Sequence, residues 1–231
     1  MFPTSPEIVN NALLLATLPN LSVPHFLTQV ITGATAHTHN RLVIVLFSRH
    51  FNTRSAHSLA FPEIQGLSHT ESWGPVQRIL TFTYVQATKV AWEANKIQMQ
   101  VDVLLKGLNE DLDQDLGKDM DIVFRVSGGM FGCIPCPLST LTTLSDSIAV
   151  PLPESISFLR QSYLRAGEQN PEEQSMTEEG TPLSTASNPP PFYPVTALGG
   201  TFDHLHAGHK ILLSMAAYIT SQKLIVGITG M

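Results

Sequence analysis

The stretch from Tyr193 to Thr229 constrains the fold of this chain more than any other part of it. A short hydrophobic run, Val195 to Leu198, ends in Gly199 and Gly200. A helical pattern follows in HAGHKILLSMAAYITS, where Ile211, Leu212, Met215, Ala216 and Ile219 recur at three- and four-residue steps. KLIVGIT, from Lys223 to Thr229, then reads as a fully buried strand. Strand, glycine turn, helix and strand make one βαβ unit, with parallel strands and a right-handed crossover.

That geometry assigns chemistry to the turn. The carboxyl end of the first strand and the amino end of the helix meet at one edge, where free backbone N–H groups and the helix dipole favour phosphate. Gly199 and Gly200 carry no Cβ, so a ligand can approach their backbone closely. His206 and His209, three residues apart at the helix start, can address one spot. Two imidazoles and Lys210 at such an edge suit stabilisation of a charged phosphoryl transition state. A metal is the competing reading, with His204, His206 and His209 as ligands. No Glu lies between them in the HExxH manner, no later Cys or His follows at ligand spacing, and zinc would not explain the paired glycines or Thr201. No metal site is therefore expected. A third reading, in which the histidines only cap the helix, stays open.

GGTFDHLHAGH resembles the G-[GT]-F-D-x-x-H-x-G-H signature of the HxGH nucleotidylyltransferases. The longer stretch is similar to phosphopantetheine adenylyltransferases of the eukaryotic and archaeal type in its doubled glycine, its DHLH run, Lys210 directly after HxGH, and a second strand reading LIVGIT. The resemblance covers roughly Val195 to Thr229. It implies the start of a Rossmann-like, cytidylyltransferase-like domain that transfers an adenylyl group from ATP to 4'-phosphopantetheine in coenzyme A biosynthesis, yielding dephospho-coenzyme A and pyrophosphate. It further implies that His206 and His209 contact the ATP phosphates as catalytic residues and that Thr201 holds the acceptor phosphate. Gly199, Gly200 and the Phe202 backbone would line the α-phosphate, Gly208 would leave room for the nucleotide, and Asp203 would brace the turn. Lys210 would be a phosphate contact or a solvated helix lysine, and Mg2+ would bridge the phosphates.

The family's domain continues beyond its second strand with further phosphate-binding segments, whereas here GM follows VGIT. The expectation is therefore a first βαβ unit, incomplete at the C-terminus, with little or no catalysis. A cytidylyltransferase or other HxGH enzyme shares the same turn chemistry. A non-catalytic interaction or regulatory fragment is the alternative of a different class.

The rest of the chain reads as α/β. Ser5-Pro6-Glu7 looks like a helix start for EIVNNALLLATL, and RLVIVLFS (Arg41 to Ser48) like a buried strand. QRILTFTYV reads as a strand with a helical VQATKVAWEANK competing, IQMQVDVLL (Ile97 to Leu105) as a half-buried strand, and DIVFRVSGGMFG as a strand entering a glycine turn. SGGMFG faintly echoes LGGTFD, which reads as coincidence rather than a repeat. The acidic LNEDLDQDLGKDMD and the HTH at His37 to His39 read as solvated surface. Residues 1–165 thus form an α/β region of unknown role and unknown protein partner. Residues 166–192, rich in Glu, Ser, Thr and Pro, read as a disordered linker, and 193–231 begin the nucleotidylyltransferase domain.

Composition excludes several partners. The net charge of −6 offers no basic footprint for nucleic acid or an anionic membrane. The longest aliphatic run, Leu42 to Phe47, is far short of the ~20 residues that cross a bilayer. The N-terminus lacks the basic region of a signal peptide, so the cytoplasm is expected. Cys133 and Cys136, in CIPC, lack a second ligand pair and read as two reduced thiols.

Overall fold

The computed structural model describes residues 8–52, 68–108, 110–127, 156, 158–167 and 190–229. Among these residues, seven strands and three full α-helices run in the order β1 (Val9–Thr17), α1 (Thr28–His37), β2 (Thr38–Ser48), α2 (Trp73–Glu93), β3 (Gln100–Gly107), β4 (Ile122–Ser127), β5 (Arg160–Arg165), β6 (Tyr193–Gly200), α3 (Ala207–Ile219) and β7 (Thr220–Ile228). β1 to β5 form one parallel sheet in the order β3-β2-β1-β4-β5, and β6 pairs with β7 in a second parallel sheet. The five-stranded order, with helices packed on it, is Rossmann-like. The N-terminal region builds this sheet, and the glycine-histidine segment contributes the smaller one.

The helix expected at EIVNNALLLATL is a strand, and the central one. β1 pairs with β2 along one edge and β4 along the other, and both of its faces are buried as well. Leu14 and Ala16 face α1 and α2, while Leu13 and Leu15 face a second cluster with Leu112, Met120 and Ile156. A strand covered on both faces reads as an unbroken apolar run, which is why its sequence mimics a buried helix. Ser5, Pro6 and Glu7 lie outside the described residues.

The strand expected at QRILTFTYV belongs to α2. Val76, Ile79, Leu80, Thr83, Tyr84, Ala87 and Ala91 are its buried positions, a three- and four-residue spacing that no strand could bury on one face. Pro75 sits in its first turn, where a missing N–H costs nothing. Its far end closes on Asn95 at φ 56°, with Lys96 N–H bonded to Ala91 O and Asn95 N–H to Trp92 O. Lys96 Nζ then donates to the carbonyls of Thr35, Ala36 and Thr38, which ties the end of α2 to the end of α1.

The strands expected near 41–48 and 97–105 are β2 and β3, and that at 121–127 is β4. β5, reading RQSYLR, is an edge strand that no apolar run announced. The acidic connector is a loop, but not a wholly solvated one, because Leu112 and Met120 are buried under the sheet and Asp121 accepts from the Asn11 backbone N–H. Within HTH, Thr38 is buried and its hydroxyl donates to Ala34 O. The glycine turn SGGMFG beyond Ser127, the CIPC pair and residues 168–189 of the expected linker lie outside the described residues. At the linker's ends, Ala166 is buried and Gly167 N–H donates to Phe26 O, while Phe192 lies against the His69 ring at 4.2 Å. No helix among the described residues is long and apolar enough to cross a membrane.

Candidate functional site

β6, α3 and β7 form where their periodicities place them, but β7, expected as a fully buried strand, is not buried: Ile225, Val226 and Ile228 are exposed, because β7 pairs only with β6 and nothing covers its outer face among the described residues. The turn between β6 and α3 gathers the expected histidines and glycines. His206 is the N-cap of α3, in extended backbone, and its Nδ1 accepts from Gly208 N–H at 3.1 Å. An accepting Nδ1 is unprotonated, so the proton of the neutral ring sits on Nε2 and can be donated outward. His209 is held the opposite way: its Nδ1–H donates to His204 O at 3.0 Å, so its Nε2 becomes a donor only in the imidazolium form. The two rings stack with centroids 3.9 Å apart, and Phe202 lies against His209 at 5.0 Å. The His204 carbonyl also receives the His206 N–H at 3.0 Å, so one carbonyl fixes both histidines. Asp203 Oδ1 accepts from His204 N–H at 2.9 Å and braces the turn from within.

The glycines divide by what the chain itself demands. A Cβ on Gly208 would stand 3.0 Å from His206 Cε1 and 3.1 Å from its Nδ1, so the capping ring would have to shift by a few tenths of an ångström to admit one. A Cβ on Gly200 would meet the Phe202 ring at 3.4 Å. On Gly199 it would meet only Gly227 O at 3.7 Å, an ordinary contact, so the fold does not require glycine at that position. Thr201 is exposed beside β7, its hydroxyl 3.5 Å from that of Thr229, which itself donates to Gly200 O. Among the described residues no group of three or more His, Cys, Asp or Glu side chains is placed to hold a metal ion.

Lys210 has a partner that its sequence context does not reveal. Its Nζ lies 2.7 Å from both Asp102 Oδ1 and Val101 O, on the edge strand β3 of the large sheet. Arg41 Nε reaches the other oxygen, Asp102 Oδ2, at 3.1 Å. Burial disfavours the Asp102 carboxylate, but the hydrogen bonds and charges of Lys210 and Arg41 outweigh it and hold its pKa below 3.8, the ordinary value. A carboxyl depressed in the folded state contributes stability above its ordinary pKa and loses it as pH falls through the folded value. The melting-temperature gap between wild type and Asp102→Asn is therefore expected to be full at neutral pH and to close below about pH 4. A gap that persists unchanged into acid would show that the pair does not act through charge.

The far end of α3 is also held. Ser72 Oγ lies 2.9 Å from the Tyr218 hydroxyl. His69 Nδ1–H donates to Tyr218 O at 2.6 Å, and the two rings stack at 4.0 Å. Met215, Ala216 and Tyr218 are the buried positions of the helix, whereas Leu212, expected on the inner face, is exposed. Asp102, His69 and Ser72 lie more than a hundred residues from their partners, so no local spacing could have found them.

Residues 197–230 match the family model described as cytidylyltransferase-like. A stretch of 35 residues is 77% identical to the phosphopantetheine adenylyltransferase of Saccharomyces cerevisiae, covering 15% of this chain and 12% of that protein. A stretch of 36 residues is 56% identical to an uncharacterized protein of Schizosaccharomyces pombe, covering 16% of this chain and 11% of that one. The chain thus matches only about an eighth of the length of these relatives. No solved structure matches it. Over residues 197–230, the segment that carries the turn is similar to cytidylyltransferase-like domains.

Proposed function

We propose that the turn from Gly199 to His209 binds the phosphates of a nucleoside triphosphate and promotes nucleotidyl transfer, with ATP as donor and 4'-phosphopantetheine as acceptor. The observation that carries this reading is the stacked His206–His209 pair. Each ring has its Nδ1 committed to the backbone, which leaves both Nε2 atoms for a ligand at the amino end of a helix. Gly199, which the fold leaves free to be any small residue, supports it, because a bare backbone is what a phosphate needs for close approach.

An acceptor phosphate oxygen attacks the α-phosphorus of the triphosphate; that P–O bond forms as the bond to the β-phosphate oxygen breaks, and pyrophosphate leaves. The chain's part is positioning and charge stabilisation. His206 and His209 turn their Nε2 atoms toward the oxygens that gain charge, His206 as a donor while its Nδ1 accepts from Gly208 N–H. Thr201, at the open end of β6, holds the acceptor phosphate. Gly200 and the Phe202 backbone line the α-phosphate, and Asp203 keeps the turn in shape. Mg2+ would arrive with the triphosphate and neutralise its oxygens; the residues of the turn suit the phosphates rather than the ion.

The adenylyl reading takes support from the yeast relative's identity over the turn. Incubation with Mg-ATP or Mg-CTP and 4'-phosphopantetheine, followed by detection of dephospho-coenzyme A and pyrophosphate, tests it. Dephospho-coenzyme A formed from ATP supports the reading. Use of CTP but not ATP would move the chain to the cytidylyltransferases, and no binding of either nucleotide would overturn the phosphate role of the turn. Gly208→Ala is expected to weaken ATP binding about tenfold or more, because the added methyl displaces the His206 ring and costs one charge-assisted hydrogen bond. Isothermal titration with Mg-ATP measures this, and undiminished affinity would show that the His206 position is irrelevant to the ligand.

A further inference from the structure

The β1–α1–β2 and β6–α3–β7 segments follow one plan. Each first strand pairs in parallel with its second and carries a register irregularity near its start, between Val9 and Asn11 in one and between Tyr193 and Val195 in the other. The helical run is 25–37 in the first, counting the 3-10 turn His25–Leu27 that leads into α1, and 207–219 in the second. Both helices pass into the next strand without a connecting residue. At that junction Thr38 N–H donates to Thr35 O and its hydroxyl to Ala34 O. Thr220 repeats both bonds, to Ala217 O and Ala216 O.

With the helical runs aligned, neither His206 nor His209 of the second unit's turn, nor Gly208, has a counterpart in the first. Pro24 stands at the N-cap where the second has His206, and it offers neither a donor nor an acceptor side chain. Leu27, fully buried, replaces His209, and Phe26 replaces Gly208. With the strands aligned through their irregularities, Leu15 and Ala16 stand for Gly199 and Gly200, and Thr17 alone matches Thr201. What the first unit has instead is a completed sheet, and that sheet grips the second. Asp102 and Val101 on β3 hold Lys210 at the start of α3, and His69 and Ser72 before α2 hold Tyr218 at its end.

We infer that residues 9–48 and 193–229 are two copies of one βαβ unit, and that the first, which binds no triphosphate, is the core of a seat that fixes α3 and so sets the phosphate-binding turn of the second. The ligand half of this statement rests on the proposed function; the seat does not. The repeat lies at β1 rather than at the SGGMFG echo of the sequence.

Two measurements on the full chain separate the parts. Hydrogen exchange without ligand is expected to show α3 amides exchanging about five- to tenfold faster in Asp102→Asn and in Ser72→Ala, with a clearly smaller rise in β1, β2 and β4. Unchanged α3 exchange in both variants would overturn the seat, as would an equal rise throughout the large sheet, which would mark general destabilisation. Histidine ring NMR during a Mg-ATP titration is expected to move His206 and His209 and leave His25, in the first turn, still. A shift of His25 at similar ATP concentrations would overturn the claim that the first copy has lost the ligand. Silence at all three would overturn the phosphate role of the second turn, and the seat would then be judged by the exchange result alone.

Discussion

Replacing His209 by alanine is expected to slow nucleotidyl transfer about 10²- to 10³-fold while the chain stays folded. The half-buried ring stacks on His206 and lies against Phe202 in the turn, so its loss leaves the main core untouched. On the proposed function, what it removes is a ring nitrogen that faces the phosphate oxygens as they gain charge. His206 needs a different substitution, because it also caps α3: alanine there would remove the bond from Gly208 N–H and cost about 1 kcal/mol of stability. His206→Asn separates the two roles. Its side-chain oxygen can accept the Gly208 N–H, but the shorter amide cannot reach the place of the imidazole Nε2–H. If both histidines only cap the helix, His206→Asn will keep both melting temperature and rate, and His209→Ala will lower the melting temperature but leave the rate unchanged. Pyrophosphate release, read beside thermal unfolding, decides, and a fall of less than about tenfold in His209→Ala would favour the capping role.

The C-terminal unit was legible in the sequence because its determinants are local. A double glycine, a helical period and a β-branched run each act within a few residues, and β6, α3 and β7 lie where those signals place them. The turn was legible for the same reason, since His206 and His209 are brought together by one helical turn and one carbonyl. The N-terminal region was less so. The LLLAT run of β1 satisfies helix and buried strand equally, and the choice is made by β2 and β4, whose pairing no window around β1 contains. In α2, β-branched and aromatic residues in RILTFTYV favour a strand locally. Burial of one stripe across 21 residues against the sheet overrides that preference.

Lys210 marks the limit most clearly. Directly after the histidine motif, a lysine reads naturally as a phosphate contact or as a solvated helix residue. Its observed partner, Asp102, is 108 positions away on an edge strand, where the free carbonyl of Val101 also needs a donor. The repeat was hidden for a related reason. Strand register, helix length and a threonine junction survive in the first copy, while the glycines and histidines that make the second recognisable do not.

Leu14→Ala is expected to remove about 2–5 kcal/mol of stability, a large part of the 5–15 kcal/mol that typically holds a domain together. Leu14 is fully buried at the middle of the central strand, with Ile44 and Phe124 as its register partners on either side, and neighbours fixed in a sheet collapse poorly into the space left behind. The consequence extends to the second unit. β6 and β7 form only a two-stranded sheet, with Val195, Ile225, Val226 and Ile228 exposed, and a pair of strands has little stability alone. Met215 and Tyr218 of α3 belong to the same buried cluster as Leu14. Denaturant unfolding of Leu14→Ala should therefore show a lower midpoint with the sheet and α3 lost in a single step, by circular dichroism and by exchange at α3. Retention of α3 protection after the sheet has melted would show a second unit that stands unaided. The dependence is expected to be unequal: Asp102→Asn loosens α3 more than the sheet, whereas Leu14→Ala weakens both, because α3 adds only Met215 and Tyr218 to a cluster built mainly by the large sheet, α1 and α2.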